Sequence, residues 1–149
     1  MGNYLFFFLT LLAGILVAVQ TAVNSQLRLA LDNPILASVI SFAVGFSALL
    51  IFLMLSRPTG VPTLASFSQI AWWKWIGGLL GAFYIVVSIL SAPKIGATNF
   101  AALLIAGQLI SSLFLDHFGW MGFRTQPIDW TKIGGAVCLI LGVYLITKK

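Results

Sequence analysis

Apolar residues occupy five long stretches of this chain, separated by short clusters of Gly, Pro, Asn, Asp and basic residues. The first stretch begins at Tyr4 and turns polar through Gln20, Asn24, Gln26 and Arg28, and Asp32-Asn33-Pro34 then ends one helix and starts the next. The second, Ile35 to Leu55, closes at Ser56-Arg57-Pro58-Thr59-Gly60. After the longest connection, the third runs from Ile76 to Ala92, opening with Gly77-Gly78 and stopping at Pro93-Lys94. The fourth, Thr98 to Leu115, meets Asp116-His117, and the fifth, Ile133 to Ile146, is shorter and ends at Lys148-Lys149. A spanning helix needs about 20 mainly apolar residues. The pattern therefore predicts an all-α membrane protein with five transmembrane helices, over about 4–28, 34–55, 75–92, 98–116 and 131–147, in a single transmembrane domain covering 1–149.

Composition sharpens this picture. Of 149 residues, 60% are hydrophobic and 7% charged, against roughly 25% charged in a soluble domain. A water-soluble fold could not hide that much apolar surface. The eight Lys and Arg sit singly at the ends of apolar runs, as anchors that reach the headgroups rather than as a nucleic-acid surface, which would cluster them on one face. Trp72-Trp73-Lys74-Trp75, and Trp120 with Trp130 around Arg124 and Pro127, have the chemistry of a membrane interface. Cys138 is the single cysteine, so no intrachain disulfide or CxxC metal site is expected. No basic residue precedes the first apolar stretch, which is expected to stay in the mature protein. Met1-Gly2 lacks the downstream Ser or Thr of a myristoylation signal, Phe6 standing there instead.

With five spans the termini lie on opposite sides, and the basic residues sort into two sets. Arg57, Lys74, Arg124 and Lys132 fall on the N-terminal side; Arg28, Lys94, Lys148 and Lys149 fall on the other. Four against four leaves no positive-inside bias, so the tie predicts dual topology unless one helix dominates insertion. Two oppositely oriented copies would form an antiparallel homodimer with the layout of an inverted-repeat transporter. If the copies adopt different conformations, exchanging them converts an inward-open state into an outward-open one of equal energy.

Gln20, Asn24 and Arg28 recur every four residues and so share one stripe of the first helix. Polar groups there face protein or water, either lining a substrate cavity or bonding to other helices. Gln108, Ser112 and Asp116 repeat the spacing on the fourth helix, with His117 beside the acid. Asp116 and His117 are candidates for coupling protons to transport, the bland alternative being a loop cap and a solvated ring. Gly77 and Gly81, extended by Tyr84, Ser88 and Ser91, make one small-residue face, and Gly134, Cys138 and Gly142 another. Both read as helix packing, within or between protomers. There is no second His for zinc, no GxSxG elbow, no Walker loop and no close pair of acids. No enzyme activity, metal or cofactor is expected.

The segment from Gln20 through Asn24, Leu27-Arg28 and Pro34 to Phe42 and Gly45, then Gly77-Gly78-Leu79-Leu80-Gly81, Ala92-Pro93, Gly96-Ala97, Gly107-Gln108-Leu109 and Asp116-His117-Phe118-Gly119, resembles the YdcZ family of the drug/metabolite transporter superfamily. The likeness covers essentially the whole chain. It implies a multi-pass protein of the bacterial inner membrane, equivalent to half of a ten-helix transporter, and it strengthens the expectation of dual topology. The related small multidrug resistance proteins carry an acid in mid-helix 1, where this chain has Gln20 and Asn24. That departure argues against proton-coupled export of cations.

The expected function is a small transporter, an antiparallel homodimer moving a small polar solute through a cavity lined by Gln20, Asn24 and Gln108, with Ser112 nearby and Arg28 and Asp116 at its mouths. Amides donate and accept, which suits neutral or zwitterionic solutes; an anion held by Arg28 is a further possibility. The alternatives are a non-transporting membrane subunit or assembly partner, and a small channel.

Overall fold

The structure is a computed structural model that describes residues 2–56 and 64–148. Arg57-Pro58-Thr59-Gly60 and Lys149, which enter the charge tie and the second helix's closure, lie outside the described residues. Among the described residues all regular structure is helical: α1 (Gly2–Leu31), α2 (Pro34–Leu55), a short α3 (Leu64–Ser68), α4 (Gly77–Ile95), α5 (Ala97–Phe118) and α6 (Trp130–Thr147). A 3-10 turn, Trp72–Ile76, feeds α4. Five helices are long and apolar enough to cross a membrane: Tyr4–Leu31, Pro34–Leu55, Trp72–Ile95, Ala97–Phe118 and Trp130–Thr147. The chain divides into two compact units, Met1–Pro93 and Lys94–Lys149.

In the first unit, α1 and α2 form a hairpin whose turn is dictated by Asp32-Asn33-Pro34. Asp32 takes a left-handed conformation (φ 48°), which Asp tolerates better than most residues. The Asn33 side chain then accepts from the N–H groups of Ile35 (2.9 Å) and Leu36 (3.0 Å), and Pro34 opens α2. An N-cap amide of this kind is worth about 1 kcal/mol, and proline costs nothing at a position whose N–H is an orphan.

Among the described residues the core of this unit is small and lies toward the hairpin end. Ala37, Ile85 and Ile89 are buried together, and Leu27, Leu31 and Tyr84 pack against them. Further along, a Cβ built on Gly81 would sit 3.5 Å from the Phe42 ring, an ordinary contact. Beyond that level the helices no longer cover one another: every residue from 4 through 20 and from 42 through 56 is exposed, as is 71 through 80. The helix-forming pattern of α4 continues past Pro93 to Ile95, although sequence reasoning stops it at Pro93. So close to the end of the helix, proline removes a single backbone hydrogen bond and the last turn still forms.

The second unit is the α5–α6 hairpin. Gly119, in the left-handed region (φ 62°), ends α5. Asp129 caps α6, accepting from the Lys132 N–H at 2.8 Å and the Thr131 hydroxyl at 2.7 Å. Those bonds, the Thr131 hydroxyl first and the Lys132 amide second, hold the Asp129 carboxyl below its ordinary pKa.

Candidate functional site

The Gln20–Asn24–Arg28 stripe exists on α1, but its three members have different surroundings. Asn24 is 5% exposed, Arg28 is half-buried, and Gln20 is exposed. Gln20 lies one turn before Asn24 on the same face, beyond the level at which α1 meets its neighbours. Thr21 is the buried residue that shares the closed level with Asn24. Its hydroxyl donates to the Val17 carbonyl at 3.0 Å, and Ser38 and Ser88 return their hydroxyls to Pro34 and Ile85 at 2.8 Å each. Asn24 makes no side-chain hydrogen bond among the described residues, and neither does Arg28.

Tyr84 is the residue that sequence reasoning left among the packing positions. Its ring lies against the Ala37–Ile85–Ile89 core, and its hydroxyl is enclosed with no hydrogen-bond partner among the described residues. Leaving such a group unpaired costs about 1–3 kcal/mol. The signal available in the sequence was a phenol inside an apolar run, at a position where Phe would do for packing alone.

Gln108, Ser112, Asp116 and His117 all belong to the second unit, so the expected lining is divided between the two units. Gln108 and Ser112 are exposed, and Asp116 and His117 are half-buried. His117 has a defined structural job: its Nδ1 accepts from the Ile128 N–H at 3.1 Å. The Asp116 carbonyl takes the Gln126 N–H at 2.8 Å, and Lys132 Nζ donates to the Gln126 and Pro127 carbonyls at 3.2 and 3.1 Å. The α5–α6 connection is therefore tied down over the end of α5. Phe118 stacks on Trp120 at 5.0 Å beside it, apolar rings at the level where Trp meets headgroups.

Of the packing positions, Ser88 is buried (1% exposed) and Gly81 faces Phe42. Gly77, Gly134 and Gly142 face open space among the described residues, so no neighbouring helix of the chain uses their small size. Among the described residues no three of His, Cys, Asp and Glu converge on a point that could hold a metal.

The family described as "Putative inner membrane exporter, YdcZ" has a model that matches residues 5–145 of the chain. The chain belongs to the YdcZ family. It is 37% identical over 82 residues to the "Inner membrane protein YdcZ" of Escherichia coli (strain K12), an alignment covering 55% of this chain and 54% of that protein. The chain thus matches about half the length of this curated relative. No solved structure matches it. With five apolar helices and this family membership, the YdcZ-family chain is a multi-pass protein of the inner membrane.

Proposed function

We propose that this YdcZ-family protein is a small exporter that works as a dual-topology, antiparallel homodimer and moves a small polar solute by alternating access. The observation that carries the reading is the placement of two amides. Gln108 falls within a residue of the middle of Ala97–Phe118, and Gln20 within about 4 Å of the middle of Tyr4–Leu31 at 1.5 Å per residue; both are exposed. Moving an amide from water into hydrocarbon costs roughly 4–8 kcal/mol. Two amides near the bilayer midplane therefore call for a polar lining that the bare surface of the chain does not supply.

A second, inverted copy supplies it. It brings another Gln20 and Gln108 to the same depth and covers the open half of the first unit, and the open faces at Gly77, Gly134 and Gly142 admit close helix approach. The four-against-four division of basic residues removes the usual bias to one orientation. Ser112 extends the Gln108 stripe toward Asp116, the carboxylate best placed to couple protons to movement of the solute, with His117 beside it.

The test is side-specific labelling of a single cysteine placed in the C-terminal tail of a Cys138→Ala protein, in intact and in permeabilised cells. About half the tails reacting from each side supports the inverted pair. Labelling from one side alone overturns it in favour of a parallel oligomer or a non-transporting subunit.

A further inference from the structure

The buried polar groups of the first unit fall into two classes. The hydroxyls of Thr21, Ser38 and Ser88 are satisfied by carbonyls of their own helices. The Tyr84 hydroxyl, at the far end of a rigid ring, cannot turn back to its own backbone and stands enclosed without a partner. Asn24, 5% exposed as a whole residue, also makes no hydrogen bond among the described residues, although its amide, unlike the Tyr84 hydroxyl, reaches the surface. Both groups donate as well as accept, and natural interiors rarely leave such groups unpaired.

The helix register puts the two at neighbouring levels. Ala37 of α2 lies with Ile85 and Ile89 of α4, and Phe42 lies against Gly81, so α2 and α4 run antiparallel. Leu27 packs on the same core as Tyr84, and Asn24 is one turn before Leu27. Arg28 is one turn beyond Asn24 on the same face. It is half-buried and has no ion pair or hydrogen bond among the described residues. At 1.5 Å per residue, Arg28 stands about 16 Å from the middle of the span, the edge of a hydrocarbon layer about 30 Å thick, and Asn24 about 6 Å deeper.

We infer that Asn24 and Tyr84 form a recognition pair for a small hydroxylated carboxylate, whose anionic end meets Arg28 and whose hydroxyls become the partners that the pair lacks. A span of about 6 Å matches a carboxylate and hydroxyls four or five bonds away. A lipid phosphate would satisfy Arg28 alone and leave the deeper pair unpaired. A cationic solute would meet the Arg28 charge with no acid in the closed core to offset it. Because the Tyr84 hydroxyl is enclosed, the solute reaches it only when the helices around it part, a movement that alternating access demands. This inference rests on the exporter reading and gives it a substrate class.

The experiment is thermal unfolding of the purified protein in phosphatidylcholine nanodiscs with gluconate, sorbitol or hexanoate at matched ionic strength. Gluconate is expected to raise Tm, and sorbitol (no charge) and hexanoate (no hydroxyls) to raise it far less. Tyr84→Phe is expected to weaken the apparent gluconate affinity at least tenfold while leaving the Tm of the protein without gluconate unchanged or higher. The inference is overturned by no gluconate shift, by equal shifts with all three probes, or by a Tyr84→Phe protein that still responds fully. A lower Tm for Tyr84→Phe without gluconate overturns it too, since the hydroxyl would then have a structural partner. Replacing phosphatidylcholine by phosphatidylglycerol separates a headgroup from a solute: a rise equal to that with gluconate, and insensitive to Tyr84→Phe, assigns Arg28 to lipid and overturns the solute site. One-sided tail labelling with the gluconate shift intact sinks the inverted dimer and spares the pair; two-sided labelling without the shift sinks the pair alone.

Discussion

The two halves of the first unit are built from the same helices and behave differently. Toward the α1–α2 turn, α1, α2 and α4 bury Ala37, Ile85 and Ile89 together, and the buried polar residues Thr21, Asn24, Ser38 and Ser88 belong to this end. In the other half, residues 4–20 and 42–56 are exposed throughout. The open half of α1 is the more apolar, Leu5–Val19 holding one polar side chain, Thr10, whereas Thr21, Asn24, Ser25, Gln26 and Arg28 interrupt the closed half; lipid is as good a neighbour as another helix for Leu or Phe. Polar groups separate them. In the open half Thr10 and Ser47 bond to their own helix at 2.7 and 2.8 Å, whereas Gln20 has no such bond among the described residues. A membrane helix needs a neighbour where it carries a group that its own backbone cannot satisfy; in the closed half Asn24 and Tyr84 are packed among helices, whereas in the open half Gln20 is exposed.

The sharpest way to break this contrast is a matched pair of truncations. Ile89→Ala removes a fully buried side chain and is expected to cost about 2–4 kcal/mol, read as a lower unfolding midpoint in nanodiscs. Leu16→Ala, in the open half, should cost less than about 0.5 kcal/mol in a monomeric preparation; a larger loss that grows with protein concentration would show that a second copy covers the open half. Next in size, Ala37→Leu forces volume into a position with no accessible surface and should destabilise by about 1–3 kcal/mol.

Gln20→Leu reverses the sign. Without a partner copy it should leave stability unchanged or raise it, and in the dimer it should cost about 0.6–2 kcal/mol of association, measurable by dilution in detergent micelles. The second unit serves as a control that touches neither half: Gly119→Ala is strained both by its φ of 62° and by a Cβ only 2.5 Å from Thr125 Oγ1, and should cost about 1–2 kcal/mol.

The smallest effect is that of acid. Asp129 has a lowered pKa in the folded protein, so its stabilisation is present above the ordinary value of 3.8 and is lost as pH falls through the lower folded value. Asp129→Asn keeps an acceptor for the Lys132 N–H and should flatten the melting curve's dependence on pH in that acid range. A dependence unchanged by the substitution would place the acid sensitivity elsewhere.

The five spans, their turns at Asp32-Asn33-Pro34 and Gly119, and the interfacial clusters around Trp72 and Trp130 were legible in the sequence by itself. They follow from local chemistry: apolar length sets what crosses a bilayer, and caps and left-handed residues set where it turns. Periodicity likewise placed Gln20, Asn24 and Arg28 on one stripe. It could not say that α1 leaves its neighbours between Thr21 and Gln20, so that Asn24 is a buried residue and Gln20 an exposed one. Nor could it show that, among the described residues, the Tyr84 hydroxyl is sealed in without a partner, the His117 ring holds the Ile128 amide, and Gly77 and Gly134 meet no neighbour. Those outcomes depend on which helix faces lie together and for how many turns, and in a chain this uniformly apolar the faces look alike until tertiary packing chooses among them.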